Sequence, residues 1–219
     1  QLGYRETAIQ LLGNMPFINV AWLDFLGLDM PTTVDEFEAV LIAFRDNADK
    51  LKAEFNIDGD IIPMSCIMND GGQDPYILIN GFGEGYGDPD SWKHLAVTDE
   101  GKVVSVATSE GFKKGTAWLH KLYEEKLIDV EAFTQDWSTY VAKGKSGRYG
   151  VCFTWDVGNV APSLEGWAPL PMLKADTVNL TPATASYTSG FQRGRCVVTS
   201  VAENPALLCA WLHQIYAPL

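Results

Sequence analysis

Phe37, Val40, Leu41, Phe44, Ala48 and Leu51 fall on one stripe at helical spacing, which predicts a single amphipathic helix running through Leu51 and packed on a sheet. Its start is marked by Thr33, three residues before Glu36, a capping-box pair. Asp35, Glu36 and Glu38 sit favourably near the positive end of the helix dipole. Upstream, Met15–Asn19 reads as a short apolar strand, and Ala21–Leu26 as a short helix stopped by Gly27. Downstream, Ile61–Met64 reads as a strand, followed by a long polar loop through Asn69, Asp70, Gln73 and Asp74. The glycine-rich run Gly81–Pro89 is expected to be loop. Ser109–Lys126 predicts a second helix with Phe112, Leu119, Leu122 and Tyr123 on its buried side. Arg148–Trp155 is apolar enough to be an interior strand. Trp167–Met172 is broken by prolines and extended, as expected for a crossing between two lobes. A strand at Cys196–Thr199 and a helix opened by Asn204 and Pro205, with Leu208, Trp211, Leu212 and Ile215 on its apolar face, complete the order. Helical and strand-like periods alternate, which predicts an α/β class.

Charge narrows the partners. Sixteen Lys and Arg against 28 Asp and Glu give a net charge of −12, so a phosphate backbone or an anionic membrane surface would be repelled. The longest apolar run, Ala39–Phe44, is far shorter than the roughly 20 residues of a bilayer span. Gln1 is not an initiator Met and no signal-like segment follows it, so the chain reads as part of a longer polypeptide. Four cysteines, Cys66, Cys152, Cys196 and Cys209, form no C-x-x-C pair and are expected to be buried free thiols.

Signatures of catalysis and cofactor binding are weak. His94, His120 and His213 are isolated, so no zinc set can be assembled. Asn56–Asp60 lacks the full ligand series of a calcium loop and reads as an acidic turn. Gly144-Lys-Ser146 has Thr139 where a phosphate-binding loop needs its first glycine, and it precedes a strand instead of following one. No cofactor and no metal are expected. Asp136 and Asp156 could in principle serve as the paired carboxylates of a glycoside hydrolase, or of a carbohydrate-binding or adhesion module. Aromatic density in loops and strand ends is the clearer signal: Tyr76, Tyr86, Trp92, Trp137, Trp155, Trp167 and Tyr187. A flat ring covers the C–H face of a sugar, while carboxylates and amides bond its hydroxyls. Trp155 and Asp156 would stand at the carboxyl end of a strand, where open α/β sheets place ligands. Core packing is the competing reading for Trp155.

Trp22–Leu28 followed by Pro31–Phe37 closely resembles the motif of type 1 extracellular solute-binding proteins, the sugar-binding lipoproteins of bacterial ABC importers. Ile61–Pro63, Lys121–Asp129 with Phe133–Asp136, Arg148–Val151 running to Trp155, Trp167–Pro171 and Ala202–Pro205 follow in the family's order, so the resemblance covers roughly residues 14–219. Lys126 stands where the family usually has the glycine that stops a helix. The resemblance implies a periplasmic-binding-protein-like (type II) α/β lobe, a sheet flanked by helices, as an incomplete second lobe. Residues 1–165 would form that lobe, and 166–219 the hinge crossing plus a strand and helix returning toward the first. It further implies capture of a carbohydrate without chemistry, delivery to ABC permease subunits, a monomer, and an extracellular protein anchored through an N-terminal lipid. By analogy of position, Asp74, Tyr76, Trp155 and Asp156 would contact the ligand, with Asn69 and Tyr187 beside them. A short peptide or an amino sugar is the other ligand class such a lobe could hold.

Overall fold

The computed structural model describes residues 15–68, 73–82, 95–97, 102–175 and 198–215. In chain order it contains β1 (Met15–Asn19), α1 (Val20–Leu26), α2 (Val34–Asp46), α3 (Ala48–Phe55), β2 (Ile62–Met64), β3 (Leu95–Val97), β4 (Val103–Ser105), α4 (Glu110–Glu124), α5 (Trp137–Lys145), β5 (Tyr149–Thr154), β6 (Trp167–Pro169) and α6 (Pro205–Ile215). Short 3-10 turns follow β4 and β5, and a longer 3-10 helix spans Tyr76–Phe82.

The predicted capping box is present at α2. Thr33 Oγ1 accepts the Glu36 N–H at 3.1 Å, and Glu36 Oε2 accepts the N–H groups of Thr32 and Thr33 at 2.8 and 3.1 Å. Those donors hold the Glu36 carboxyl below its ordinary pKa. The single helix expected through Leu51 is in fact two. Asn47 interrupts it with φ −108° and ψ 22°, its Nδ2 donating to the Ala43 carbonyl at 2.9 Å. A short polar side chain that bonds its own backbone competes with the helical ladder. The apolar stripe nevertheless continues, because Leu51 on α3 is as buried as Phe44 on α2.

Four strands form one sheet in the order β2-β5-β1-β6, with β2 parallel to β5 and β1 antiparallel to both of its neighbours. All six residues of β5 are buried, as an interior strand requires. Val151 and Phe153 join the larger apolar cluster with Ile18, Phe37, Leu41 and Phe44, while Tyr149 and Cys152 join a second with Tyr140 and Val160. Helix α4 lies beside α2, where Trp118 meets Phe37 at 6.2 Å between ring centres and donates from Nε1 to Glu38 at 3.2 Å. The hairpin β3–β4 and helix α5 have no counterpart in the sequence-based expectation, and neither has the 3-10 helix, which takes in the first two residues of the expected glycine-rich loop. By contacts the chain divides into Gln1–Tyr187 and Thr188–Leu219. The edge strand β6, drawn from sequence into the crossing segment, therefore belongs to the first of these units. In the second, α6 has the expected cap, Asn204 Oδ1 accepting the Leu207 N–H at 3.0 Å. Among the described residues no helix is long and apolar enough to cross a membrane.

Helix α4 ends with the two reversed bonds of a Schellman turn, Lys126 N–H to the Tyr123 carbonyl at 3.0 Å and Leu127 N–H to the Leu122 carbonyl at 2.9 Å. The turn needs a left-handed residue, and Lys126 supplies it at φ 58°. A Cβ there is unfavourable, while glycine carries its own entropy cost in the unfolded chain. Lys126→Gly is therefore expected to raise stability by about 0.5 to 1 kcal/mol, read as a higher urea midpoint at unchanged slope.

Cys66 and Cys152 are buried free thiols, as expected, but Cys209 is exposed, and Cys196 lies outside the described residues. Burial pushes both buried thiols well above their ordinary pKa, and for Cys66 the nearby Asp129 and Asp74 carboxyls add to the shift.

Candidate functional site

The pairing of β2 with β5 decides where a site can form. The two strands are parallel, with Ile62 opposite Tyr149 and Met64 opposite Val151, and Ile128 bridges Met64 in the same sense. Three chain segments consequently leave at one edge: Ser65–Ile67 after β2, Asp129–Gln135, and Thr154–Asp156 after β5. This is the carboxyl edge, where strand ends stop pairing and side chains become available to a ligand.

The segments are laced together. The Asp129 N–H reaches the Met64 carbonyl at 2.8 Å and the Met68 N–H reaches that of Ala132 at 2.9 Å. Ser65 Oγ donates to Asp129 Oδ2 at 2.8 Å, and Gln135 Nε2 donates to the Cys66 carbonyl at 2.7 Å. The hydroxyl of Tyr140, on α5, accepts the Phe153 N–H at 2.9 Å and lies 3.0 Å from the Phe153 carbonyl. Each of these side chains is buried except for its partners, so the edge is rigid beneath its surface.

On that base stands an aromatic ladder. Tyr149 meets Tyr140 at 5.3 Å, Tyr140 meets Trp137 at 5.9 Å, and Trp137 stacks on Trp155 at 5.4 Å with 18° between the planes. The two tyrosines are buried, Trp137 is half-buried and Trp155 is 56% exposed. The core-packing alternative for Trp155 therefore fails. An indole held flat by a second indole while exposing more than half its surface is a prepared apolar face.

Asp156 is exposed beside it and caps the 3-10 turn Val157–Asn159, Oδ1 accepting the Gly158 N–H at 2.8 Å. Asp74 and Tyr76 form a second pair. Asp74 is buried, and its Oδ1 accepts the Tyr76 N–H at 2.9 Å at the start of the Tyr76–Phe82 helix. The Tyr76 ring is half-buried and stacks on Phe112 at 6.2 Å with 19° between planes, which occupies one of its faces. The structure thus joins Trp155 to Asp156, and Asp74 to Tyr76, each pair on a segment following a strand of the parallel pair. Asn69 and Tyr187 lie outside the described residues.

Asp136 has a different task. It caps α5 through Oδ1 and the Thr139 N–H at 2.8 Å, and that bond lowers its pKa. A glycosidic general acid needs the opposite shift, so Asp136 is poorly suited to that role. Sequence reasoning counts Trp137 among the aromatics of loops and strand ends without placing it at the site, and misses Tyr140, Lys143, Asp129 and Gln135. The usable signal was Asp136 itself, an N-cap residue opening an unrecognised helix that carries the first three.

A concavity of about 290 Å³ lined in part by Trp22, Phe55 and Trp167 sits where β1 ends, at the opposite end of the sheet. A carboxyl edge exposed on one lobe is an open surface, not an enclosed cavity.

A mixed sheet flanked by helices, with a buried polar network and an exposed indole stack at its carboxyl edge, defines an α/β lobe of the periplasmic-binding-protein kind. The comparisons with known proteins agree. No protein-family model matches the chain. It is 39% identical over all 219 residues to the fructooligosaccharide ABC transporter substrate-binding protein FusA of Streptococcus pneumoniae serotype 4 and spans 39% of that protein's length. It is 29% identical over 133 residues to lipoprotein LipO of Bacillus subtilis, 59% of this chain and 25% of that protein. Among solved structures, FusA of S. pneumoniae in complex with kestose matches 78% of this chain and 33% of its own, with TM-score 0.68 and 39% identity. An extracellular solute-binding protein from Bifidobacterium longum subsp. infantis matches 76% of this chain and 34% of its own, with TM-score 0.63 and 30% identity. The chain is homologous to the substrate-binding proteins of ABC transporters and has the fold of part of one.

Proposed function

We propose that this chain belongs to a protein that captures an oligosaccharide in a cleft between two lobes and delivers it, chemically unchanged, to an ABC permease. The observation that carries the reading is the stacked, half-exposed indole pair at the carboxyl edge of a lobe homologous to FusA, whose solved structures hold kestose and fructo-nystose. Trp155 offers its ring to the C–H face of a sugar unit, and Asp156 accepts from hydroxyls. Asp74 and Tyr76 extend the half-site, with Asn69 and Tyr187 completing it. The unit that ends at Tyr187, which includes β6, acts as one lobe, and Thr188–Leu219 is the segment that returns toward the other. Closure of the lobes expels water, which strengthens every hydrogen bond to the ligand. No carboxyl pair performs hydrolysis. The protein works as an extracellular monomer tethered by an N-terminal lipid, and its acidic surface keeps it off anionic headgroups.

The test is calorimetric titration of the full-length protein with kestose, nystose, raffinose and maltotriose, followed by chromatography of the recovered sugar. Binding of at least one of them and its recovery intact are expected. No heat with any sugar, or the appearance of hydrolysis products, overturns the reading.

A further inference from the structure

We propose that Lys143 is a positioning residue of the ligand platform, fixing helix α5 and through it the plane of the Trp137–Trp155 stack. The inference rests on the oligosaccharide reading above for its affinity arm only.

Trp137, Tyr140 and Lys143 follow one another at intervals of three along α5, so they share one side of the helix. Each ties it to a different part of the carboxyl edge. Trp137 stacks on Trp155, and Tyr140 brackets both backbone polar groups of Phe153 two residues earlier. Lys143 reaches Asp129 Oδ2 at 2.8 Å, Gln135 Oε1 at 3.0 Å and Glu131 Oε2 at 2.5 Å. An ammonium has three N–H donors, and here all three are taken. Lys143 has no donor left for a ligand, and only 11% of its side chain is exposed. Any influence on binding must therefore pass through what it holds.

What it holds is the exit of β2 as well as α5. Asp129 and Gln135, the buried partners of the ammonium, are the groups that bond Ser65 Oγ and the Cys66 carbonyl. One charge consequently sets α5 against the segment leading to Asp74. Lys145 ties the same end of α5 independently, its Nζ 2.7 Å from the carbonyls of Gly158 and Ala161. Loss of Lys143 should therefore tilt the helix and leave it folded. The tilt is felt at the indoles, which stand at the other end.

Stacked indoles couple their transitions and give paired circular-dichroism bands of opposite sign in the far ultraviolet, a signal that needs no ligand. In the full-length protein, Lys143→Met is expected to lose at least about half of that couplet and to bind kestose or nystose at least about tenfold more weakly. Lys143→Arg keeps the charge and is expected to retain the couplet and stay within about threefold in affinity. In a Trp155→Ala background Lys143→Met should add little, because both changes remove the same platform. A folded Lys143→Met protein with full couplet and wild-type affinity overturns the proposal, as does a loss that adds in full to that of Trp155→Ala. Should Lys143→Met not fold, the neutral pair Asp129→Asn/Lys143→Met leaves no lone buried charge and is read against the same outcomes. If the wild type binds none of the sugars, the oligosaccharide reading fails while the couplet still decides whether Lys143 sets the stack.

Discussion

Trp155→Ala in the full-length protein is expected to weaken oligosaccharide binding by at least about tenfold, the behaviour of a central aromatic anchor, with little change in melting temperature. The two halves of this expectation have separate causes. In the free protein Trp155 is 56% exposed and among the described residues its ring contact is with Trp137, so truncation removes a stack worth about 0.5 to 1.5 kcal/mol and creates no cavity. In the closed complex the same ring would be covered by sugar, and its loss removes most of the apolar contact that orients a ring for hydroxyl recognition. Calorimetric titration measures the loss of affinity and a thermal melt the loss of stability. Unchanged affinity would remove Trp155 from the site. A collapsed melt would show instead that the indole is a structural member of the fold.

Gly150→Ala should have the largest effect on stability. Gly150 lies in β5, one of the two strands paired on both sides within the sheet. A Cβ built there meets Phe44 Cδ2 at 2.4 Å and the Pro63 carbonyl oxygen at 2.7 Å. Phe44 is fully buried in the larger cluster, and the oxygen belongs to the backbone of β2, so neither can move aside cheaply. Overpacking of this kind costs about 1 to 3 kcal/mol, and with one obstacle fixed in a neighbouring strand the upper end is expected. A urea midpoint lowered by that amount checks the prediction, and an unchanged midpoint would mean that α2 does not sit on the sheet here. Because β5 ends at Thr154, the same variant should also weaken ligand binding, by less than Trp155→Ala does.

Local patterns carried much of this fold. The α2 stripe and cap, the buried strand β5, the stop at Gly27 and the cap of α6 all depend on neighbouring residues, and all were legible. What escaped has a physical explanation in each case. Helix α5 reads Trp-Ser-Thr-Tyr-Val-Ala-Lys-Gly-Lys, rich in residues of modest helix propensity and with an apolar stripe of a single turn, Trp137, Tyr140 and Val141. It exists because Asp136 caps it and because Tyr140 and Lys143 find buried partners outside the helix, at Phe153 on β5 and at Asp129 after α4. The break at Asn47 was masked by apolar positions that stay in phase across it. The candidate site was legible where it hangs on a strand end, at Trp155 and Asp156. It was illegible where it depends on tertiary placement, since nothing near Trp137 in sequence says that Trp155 will lie across it.

The two interior thiols have a consequence for the durability of the protein. Disulfide exchange and oxidation proceed through the thiolate, and at Cys66 and Cys152 burial disfavours that form and denies reagents access. In their native environment these sulfurs are chemically inert. A chain that folds before it meets an oxidising medium can keep both in reduced form there, without scrambled crosslinks and without a reductant to protect it.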